Sequence, residues 1–203
     1  ARQLGIPIHL HVAEDLADED DSYRRYRVPV VERLAIHNAL SEKTICAHCI
    51  HVSEREMDVL AGYKAKVTHQ PRSNMNNGVG YAPAARFGER VALGTDGIDG
   101  DMFTEARACY LKAREASWET GPSFAVERLT AGARLAGRLF GEPLLGALAE
   151  GAPADLIVLE YRHPTPLDSH NLSGHLVFGM TAAQVRDVMA AGRWIVRDRQ
   201  GLP

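Results

Sequence analysis

Hydrophobic and polar residues alternate with two different periods along most of the chain. Short apolar runs with a period of two predict four strands, at residues 6–13, 44–49, 65–69 and 91–95. Apolar residues at helical spacing predict helices at residues 29–39, 53–61, 102–118 and 124–140. Strands that alternate with helices in this order are typical of a parallel α/β sheet or barrel.

Two polar stretches lack a clear period and are interpreted as loops. Residues 15–27 hold acidic residues followed by arginines, which predicts a surface loop. Residues 70–83 are rich in Pro, Asn and Gly, which predicts a long loop of the kind that often carries function. Helix starts are marked more clearly, because Ser53 and Glu56 form a capping-box pattern and Asp101 is suited to cap the next helix.

The pattern changes after Gly151. Residues 154–159 and 185–197 predict three strands, of which the last two are joined by a turn at Gly192. We therefore divide the chain into an α/β part, residues 1–148, and a small β part, residues 149–203. The first residues do not include an initial Met and are typical of the end of a helix, so we expect a piece of a longer protein.

The composition is that of an ordinary globular protein, with 45% hydrophobic and 24% charged residues. The 23 Lys and Arg against 26 Asp and Glu give a formal charge of −3 without any basic run, which argues against nucleic acid as a partner. No apolar stretch is long enough for a membrane span, and no signal-peptide pattern stands at the start. Three cysteines, an odd number, favour a reducing compartment, so we expect a cytoplasmic protein.

Polar side chains follow each of the four predicted strands at the point where the strand ends. They are His11 and Glu14, His48, His69, and Asp96. Because the carboxyl ends of parallel barrel strands open on one face, these side chains should meet there. A single histidine at a strand end is usually structural, but several on one face indicate a site.

The residue types that should meet suit a divalent metal. Two imidazoles and a carboxylate are ligands that catalytic zinc prefers, and iron accepts the same donors. A metal of this kind lowers the pKa of a water molecule to about 7, which makes the water a nucleophile near neutral pH. Asp96 is suited to be both a ligand and a base. Two roles remain open for Glu14, which either moves a proton between water and a substrate nitrogen or belongs to the acidic stretch that follows it.

The cysteines around His48 invite two other interpretations, and neither holds. Covalent haem attachment requires a histidine directly after the second cysteine, where Ile50 stands, and a structural zinc site requires a second cysteine pair. By strand alternation His48 faces the site, whereas Cys49 packs outward. Cys49 and Cys109 are expected to be unreactive core thiols.

Five segments together resemble the amidohydrolase superfamily, in its metal-dependent aminohydrolase and chlorohydrolase branch. These segments are Ile8-His9-Leu10-His11-Val12-Ala13-Glu14, Ala47-His48-Cys49, His69-Gln70-Pro71-Arg72-Ser73-Asn74-Met75, Gly94-Thr95-Asp96-Gly97 and Gly151-Ala152-Pro153-Ala154-Asp155-Leu156-Ile157-Val158. The resemblance implies an α/β fold, a (β/α)8 TIM-like barrel flanked by a β-sandwich. It identifies residues 1–148 as the carboxyl-terminal half of the barrel, strands 5–8, and residues 149–203 as part of the sandwich.

The same resemblance implies a role for each residue at the strand ends. His11 is the fifth-strand metal ligand, Glu14 the proton shuttle, and His48 the sixth-strand histidine that polarises water or substrate. Asp96 is the eighth-strand carboxylate, both metal ligand and base. The residues implied to bind substrate are Glu14, His48, His69 and Asn74, with residues 71–83 as the pocket wall.

The reaction implied is deamination of an amino-substituted N-heterocycle of the purine, pyrimidine, pterin or triazine type. One divalent metal ion, zinc with iron as the alternative, would serve as cofactor, and a small heterocycle is the expected partner. The family's first strand carries a His-x-His ligand pair that this sequence lacks, so the amino-terminal half of the barrel is a second expected partner. The resemblance is also compatible with assembly into a homo-oligomer. The alternatives are hydrolytic dechlorination, hydrolysis of a cyclic amide, and an inactive fragment.

Overall fold

The computed structural model describes Ala1 and residues 4–203, and in this part of the chain four parallel strands form the first sheet. They are β1 (Ile8–Val12), β2 (Thr44–His48), β3 (Lys66–His69) and β4 (Val91–Leu93), and they follow the order of the chain. Val12 pairs with His48 and His69 with Leu93, so the carboxyl ends of neighbouring strands lie at the same edge. The parallel α/β arrangement predicted from the sequence is confirmed.

Helices connect the strands of this sheet and follow its last strand. They are α1 (Leu16–Tyr26), α2 (Val30–Ile36), α3 (Glu54–Gly62), α4 (Pro71–Asn77), α5 (Met102–Ala116) and α6 (Ser123–Phe140), and a short 3₁₀ turn spans Gly88–Arg90. The predicted caps are in place, since Ser53 Oγ accepts from the Glu56 N–H at 3.3 Å and Asp101 Oδ1 accepts from the Phe103 N–H at 2.9 Å. The four predicted helices correspond to α2, α3, α5 and α6.

The prediction that residues 15–27 form a loop is wrong, because this segment contains α1. Asp15 caps the helix by accepting a hydrogen bond from the Ala17 N–H at 2.9 Å. In the last turn Arg24 lies 2.8 Å from the Asp21 carboxylate. Caps and ion pairs thus stabilise a helix that has no clear apolar stripe, and hydrophobic periodicity alone does not reveal such a helix.

The predicted loop at residues 70–83 is wrong in its first half, where α4 forms. Pro71 stands at the start of the helix, where its fixed φ is suitable and no N–H is required. Gly78 ends the helix with a φ of 66°, in the left-handed region. The side chains of Ser73 and Asn74 are buried, so tertiary contacts outweigh the low helix propensity of these residues.

The larger core cluster lies between the parallel sheet and helices α2 and α3. It contains Val12, Val31 and Leu60, which are fully buried, together with Cys49. Cys109 packs in a second cluster that includes residues of α6. Burial raises the pKa of the Cys109 thiol to about 12, so this thiol stays protonated and unreactive, as the sequence predicts.

Two carboxylates face each other where α1 meets α2 and α3. Glu19 Oε2 accepts from the Val30 N–H at 3.2 Å, and Glu56 Oε1 accepts from the Val31 N–H at 3.1 Å. Burial first, and then the neighbouring Glu56 carboxylate, raise the pKa of Glu19 to about 7. The folded protein therefore binds a proton at Glu19 more tightly than the unfolded chain does.

We expect Glu19→Gln to stabilise the protein at high pH and not at low pH. Because the pKa of Glu19 is raised on folding from 4.5 to about 7, wild-type stability falls as the pH rises through this window. Solvent screens a half-buried group, so the effect is smaller than the full pKa shift implies. The free energy of unfolding of the variant should exceed that of the wild type by about 1 kcal/mol at about pH 8 and should equal it at about pH 4. Urea unfolding at both pH values measures the difference, with Asp20→Asn on the exposed face of α1 as the control. An equal gain at both pH values would contradict this assignment.

A second sheet, antiparallel, lies in the last third of the chain. Its strands are β5 (Leu156–Leu159), β6 (Val185–Ala190), β7 (Arg193–Arg197) and β8 (Gln200–Gly201), in chain order. The predicted hairpin is confirmed, since β6 pairs with β7 and Gly192 makes the turn with a φ of 76°.

Short helical segments lie between β5 and β6. They are α7 (Leu172–Gly174), a π-helical turn at His175–Gly179 and a 3₁₀ turn at Ala182–Gln184. The Arg107 guanidinium on α5 donates to the Val177 carbonyl at 2.8 Å, which connects these segments to the α/β part of the chain. Among the residues described, no helix combines the length and the apolar character that a membrane crossing requires.

Candidate functional site

Polar strand ends meet at the carboxyl edge of the parallel sheet. The Glu14 Oε2 atom lies 2.9 Å from His11 Nδ1 and 3.4 Å from His48 Nε2. His48 Nε2 also lies 3.8 Å from Asp96 Oδ2, and the ring centroids of His11 and His48 are 4.5 Å apart. The structure thus brings together the residues of three different strand ends, as the parallel arrangement predicts.

The backbone at this edge is left-handed at residues other than glycine. φ is 47° at Ala13, 68° at His48 and 54° at Asp96. A non-glycine residue in this region costs about 1–3 kcal/mol, and such strain is typical of functional sites. The sequence carries no signal for this feature, because glycine is the usual residue in a left-handed turn and none occupies these positions.

The donor atoms at this edge fit a divalent metal. One possible ligand atom from each of His11, Glu14 and His48 lies within 4.8 Å of the other two. His48 is 1% exposed and its Nε2 faces two carboxylates, so a cation placed there would relieve the repulsion between negative groups. Imidazole nitrogens and carboxylate oxygens are the ligands of catalytic zinc. The resemblance implies Asp96 as a second metal ligand beside His11. Asp96 lies next to this three-residue group, with its Oδ2 3.8 Å from His48 Nε2.

The surroundings of Asp96 keep it ionised. The Ser73 hydroxyl donates a hydrogen bond to Asp96 Oδ2 at 2.6 Å. This hydrogen bond is the main cause that lowers the pKa of Asp96; partial burial opposes it, and His48 adds to the lowering. A carboxylate that is ionised at neutral pH is suited to hold a metal or to accept a proton.

Asn74, which the resemblance implies to bind substrate, lies on the Nδ1 side of His48. Its Oδ1 is 2.9 Å from His48 Nδ1, and the residue is 1% exposed. Gln70, which the sequence analysis did not single out, accepts a hydrogen bond from the His48 N–H at 3.1 Å. Both residues belong to the stretch predicted as a loop, where nothing in the sequence indicated which strand end they would contact.

His69 is buried beside this group rather than part of it. It is 1% exposed, and its ring packs edge-on against Tyr81 with centroids 5.8 Å apart. Burial, followed by the nearby charges of Arg128 and His48, lowers the pKa of His69 to about 3, so the imidazole is neutral at neutral pH. Neither ring nitrogen has a hydrogen-bond partner among the described residues. A neutral imidazole in this state offers one donor and one acceptor to a ligand.

A buried ion pair next to the site was not found from the sequence. Arg72 on α4 contacts Glu105 on α5 through its side chain, and its backbone N–H donates to Glu105 Oε1 at 3.1 Å. The guanidinium also donates to Asp99 Oδ1 at 3.0 Å. Glu105 is 0% exposed. The two partners stand far apart in the sequence, and no local pattern signals such a pair.

Residues 1–195 match the family model described as Amidohydrolase family. The chain therefore belongs to the amidohydrolase family, and the resemblance inferred from its sequence motifs is confirmed. Membership implies the TIM-barrel fold, with which the parallel strands and their connecting helices agree.

Two similar proteins are named 5-methylthioadenosine/S-adenosylhomocysteine deaminase. The one from Carboxydothermus hydrogenoformans is 31% identical over 98% of this chain and 48% of its own length. The one from Nitratidesulfovibrio vulgaris strain DP4 is 34% identical over 98% of this chain and 46% of its own length. A crystal structure of an adenosine deaminase from Xanthomonas campestris with bound zinc superimposes with a TM-score of 0.88 at 26% identity, over 100% of this chain and 48% of that one. The chain thus spans about half the length of the proteins it matches.

Proposed function

We propose that the protein is part of a metal-dependent hydrolase that deaminates an amino-substituted N-heterocycle. The observation that carries this proposal is the meeting of His11, Glu14 and His48 within 4.8 Å, with Asp96 3.8 Å from His48. The same groups are compatible with hydrolytic dechlorination or cleavage of a cyclic amide. Similarity above 30% to proteins named as deaminases favours release of ammonia.

One divalent metal ion is the proposed cofactor, and zinc is favoured over iron. Imidazole and carboxylate donors suit both metals, but the similar adenosine deaminase structure contains zinc. His11 and Asp96 are the proposed ligands, and the Glu14 carboxylate and His48 Nε2 lie at the same edge of the sheet. When bound, the metal would supply Lewis-acid activation of a water molecule.

Three side chains are proposed to handle protons and charge during the reaction. Water bonds through its oxygen to the ring carbon, the bond from that carbon to the amino group breaks, and the water gives up both of its protons. Glu14 moves one proton from the water to the ring nitrogen, and Asp96 accepts the other and passes it to the amino group, which leaves as ammonia. His48, 3.4 Å from Glu14 Oε2, polarises the water or the substrate. Groups placed for general acid and base work contribute about 10²–10⁴-fold each.

The substrate pocket is proposed to include Glu14, His48, His69 and Asn74. Because His69 is neutral and both of its nitrogens lack partners among the described residues, it is suited to hydrogen-bond a heterocycle. The names of the similar deaminases favour an adenine nucleoside as the substrate.

The architecture around this pocket is proposed to extend beyond the chain. In this proposal residues 1–148 supply strands 5–8 of the barrel, and residues 149–203 supply part of a flanking β-sandwich. The amino-terminal half of the barrel supplies the remaining metal ligands.

Zinc binding and ammonia release test this function together. We expect the chain, extended at its amino terminus by the corresponding half of a similar deaminase, to bind zinc and to release ammonia from 5-methylthioadenosine or adenosine. A chelator should abolish ammonia release and added zinc should restore it. His11→Ala should weaken zinc binding at least about tenfold, whereas His170→Ala, an exposed residue far along the chain, is the control. Ammonia release that survives chelation would overturn the metal-dependent function.

A further inference from the structure

Helix α4 carries side chains that contact two of the three strand ends at the site. Asn74 Oδ1 meets His48 Nδ1 at 2.9 Å, and the Ser73 hydroxyl meets Asp96 Oδ2 at 2.6 Å. Both residues are at most 5% exposed. One short helix therefore connects a histidine from β2 with a carboxylate that follows β4.

The contact between Asn74 and His48 selects one form of the imidazole. An amide oxygen can only accept a hydrogen bond, so Nδ1 of His48 is the donor in this contact and carries a proton. In the imidazole tautomer with its proton on Nδ1, Nε2 has a lone pair, and Nε2 is the atom that faces Glu14 and Asp96.

The position of α4 is in turn fixed by Arg72. The buried Glu105 carboxylate accepts from the backbone N–H and the side chain of Arg72, and the guanidinium also donates to the Asp99 carbonyl at 2.9 Å. Arg72 thus joins α4 to α5 and to the turn that follows Asp96. A fixed helix is needed because a hydrogen bond sets a tautomer only while its partner stays in place.

We propose that Asn74 is a positioning residue that holds His48 in the tautomer with a free Nε2, and that Arg72, through Glu105, keeps Asn74 in place. This inference rests on the proposed function, in which His48 polarises water or substrate from Nε2. Asn74, which the proposed function places in the substrate pocket, thereby has a further role as the hydrogen-bond partner of His48.

Nitrogen NMR of the neutral imidazoles tests the tautomer directly in the metal-free protein. In the wild type and in Asn74→Asp, which keeps an acceptor oxygen, we expect a protonated Nδ1 and an unprotonated Nε2 at His48. In Asn74→Leu, which keeps the size and loses the acceptor, we expect the form protonated on Nε2 to become populated. Asn76→Leu, an exposed position on the same helix, is the control. An unchanged tautomer in Asn74→Leu would overturn the proposal.

Ammonia release and zinc binding of the same variants test the consequence for the site. Because Asn74 contacts His48 and neither proposed metal ligand, we expect kcat for ammonia release to fall about 10–100-fold in Asn74→Leu and less in Asn74→Asp, with zinc binding close to that of the wild type. The double variant Arg72→Met, Glu105→Gln removes both charges of the buried pair and should lower kcat about tenfold with the fold retained. Wild-type resonances of His48 in this double variant would overturn the part assigned to Arg72. If the wild type binds no zinc, the proposed function fails, whereas the tautomer comparison still decides the role of Asn74.

Discussion

Replacing Glu14 with glutamine is expected to lower the rate of ammonia release by about 10²–10⁴-fold, the usual contribution of a general acid or base. Glutamine keeps the size and an oxygen beside His11 Nδ1, which Glu14 Oε2 approaches to 2.9 Å, but it cannot carry a proton between water and substrate. The measurement is kcat for ammonia release together with the zinc content of the purified protein. We expect kcat to fall while the zinc content stays close to that of the wild type.

The zinc content separates the two roles that the structure allows for Glu14. The Glu14 carboxylate belongs to the three-residue group within 4.8 Å, so it is close enough to be a ligand as well as a proton shuttle. A variant that loses zinc along with activity would move Glu14 into the ligand set and contradict the shuttle assignment. Glu115→Gln, on the exposed end of α5, removes one carboxylate far from the site and serves as the control.

The second large effect is expected for stability, in Arg72→Met. This substitution leaves the Glu105 carboxylate buried without its cation, and an uncompensated buried charge typically costs about 3–5 kcal/mol. Urea unfolding measures the loss as a lower midpoint at an unchanged slope. Adding Glu105→Gln removes the unpaired charge, so the double variant should recover most of the lost stability.

A surface ion pair provides the matched comparison for Arg72. Arg24 lies 2.8 Å from Asp21, but its side chain is 75% exposed, so Arg24→Met should cost less than about 1 kcal/mol. Equal losses for Arg24→Met and Arg72→Met would show that burial of Glu105 does not matter. A double variant as unstable as Arg72→Met alone would show that the loss comes from packing of the arginine stem and not from the unpaired charge.

The sequence predicted the elements whose stability comes from apolar periodicity. The four parallel strands and helices α2, α3, α5 and α6 all have a buried face that shows in the spacing of their hydrophobic residues. Helix α1 lacks such a face and depends on its Asp15 cap and on ion pairs. Helix α4 is built from residues typical of turns, and contacts made by Ser73 and Asn74 with distant strand ends keep it helical.

The site could be predicted in outline and not in detail. Parallel strands bring their carboxyl ends to one edge, so the meeting of His11, Glu14, His48 and Asp96 follows from the strand order alone. Which nitrogen of His48 is engaged, and by which residue, depends on where α4 packs. The pairing of Arg72 with Glu105 depends on the same packing, and no spacing in the sequence encodes it.

The left-handed backbone at Ala13, His48 and Asp96 has a consequence for protein engineering. A designer who grafts the side chains of this site onto another scaffold must also transplant the left-handed backbone at these positions, because it sets the direction in which each side chain leaves the strand. Valine or isoleucine at position 13 would resist this left-handed conformation through its branched Cβ. Libraries built around this site should therefore leave position 13 to alanine, glycine, asparagine or aspartate.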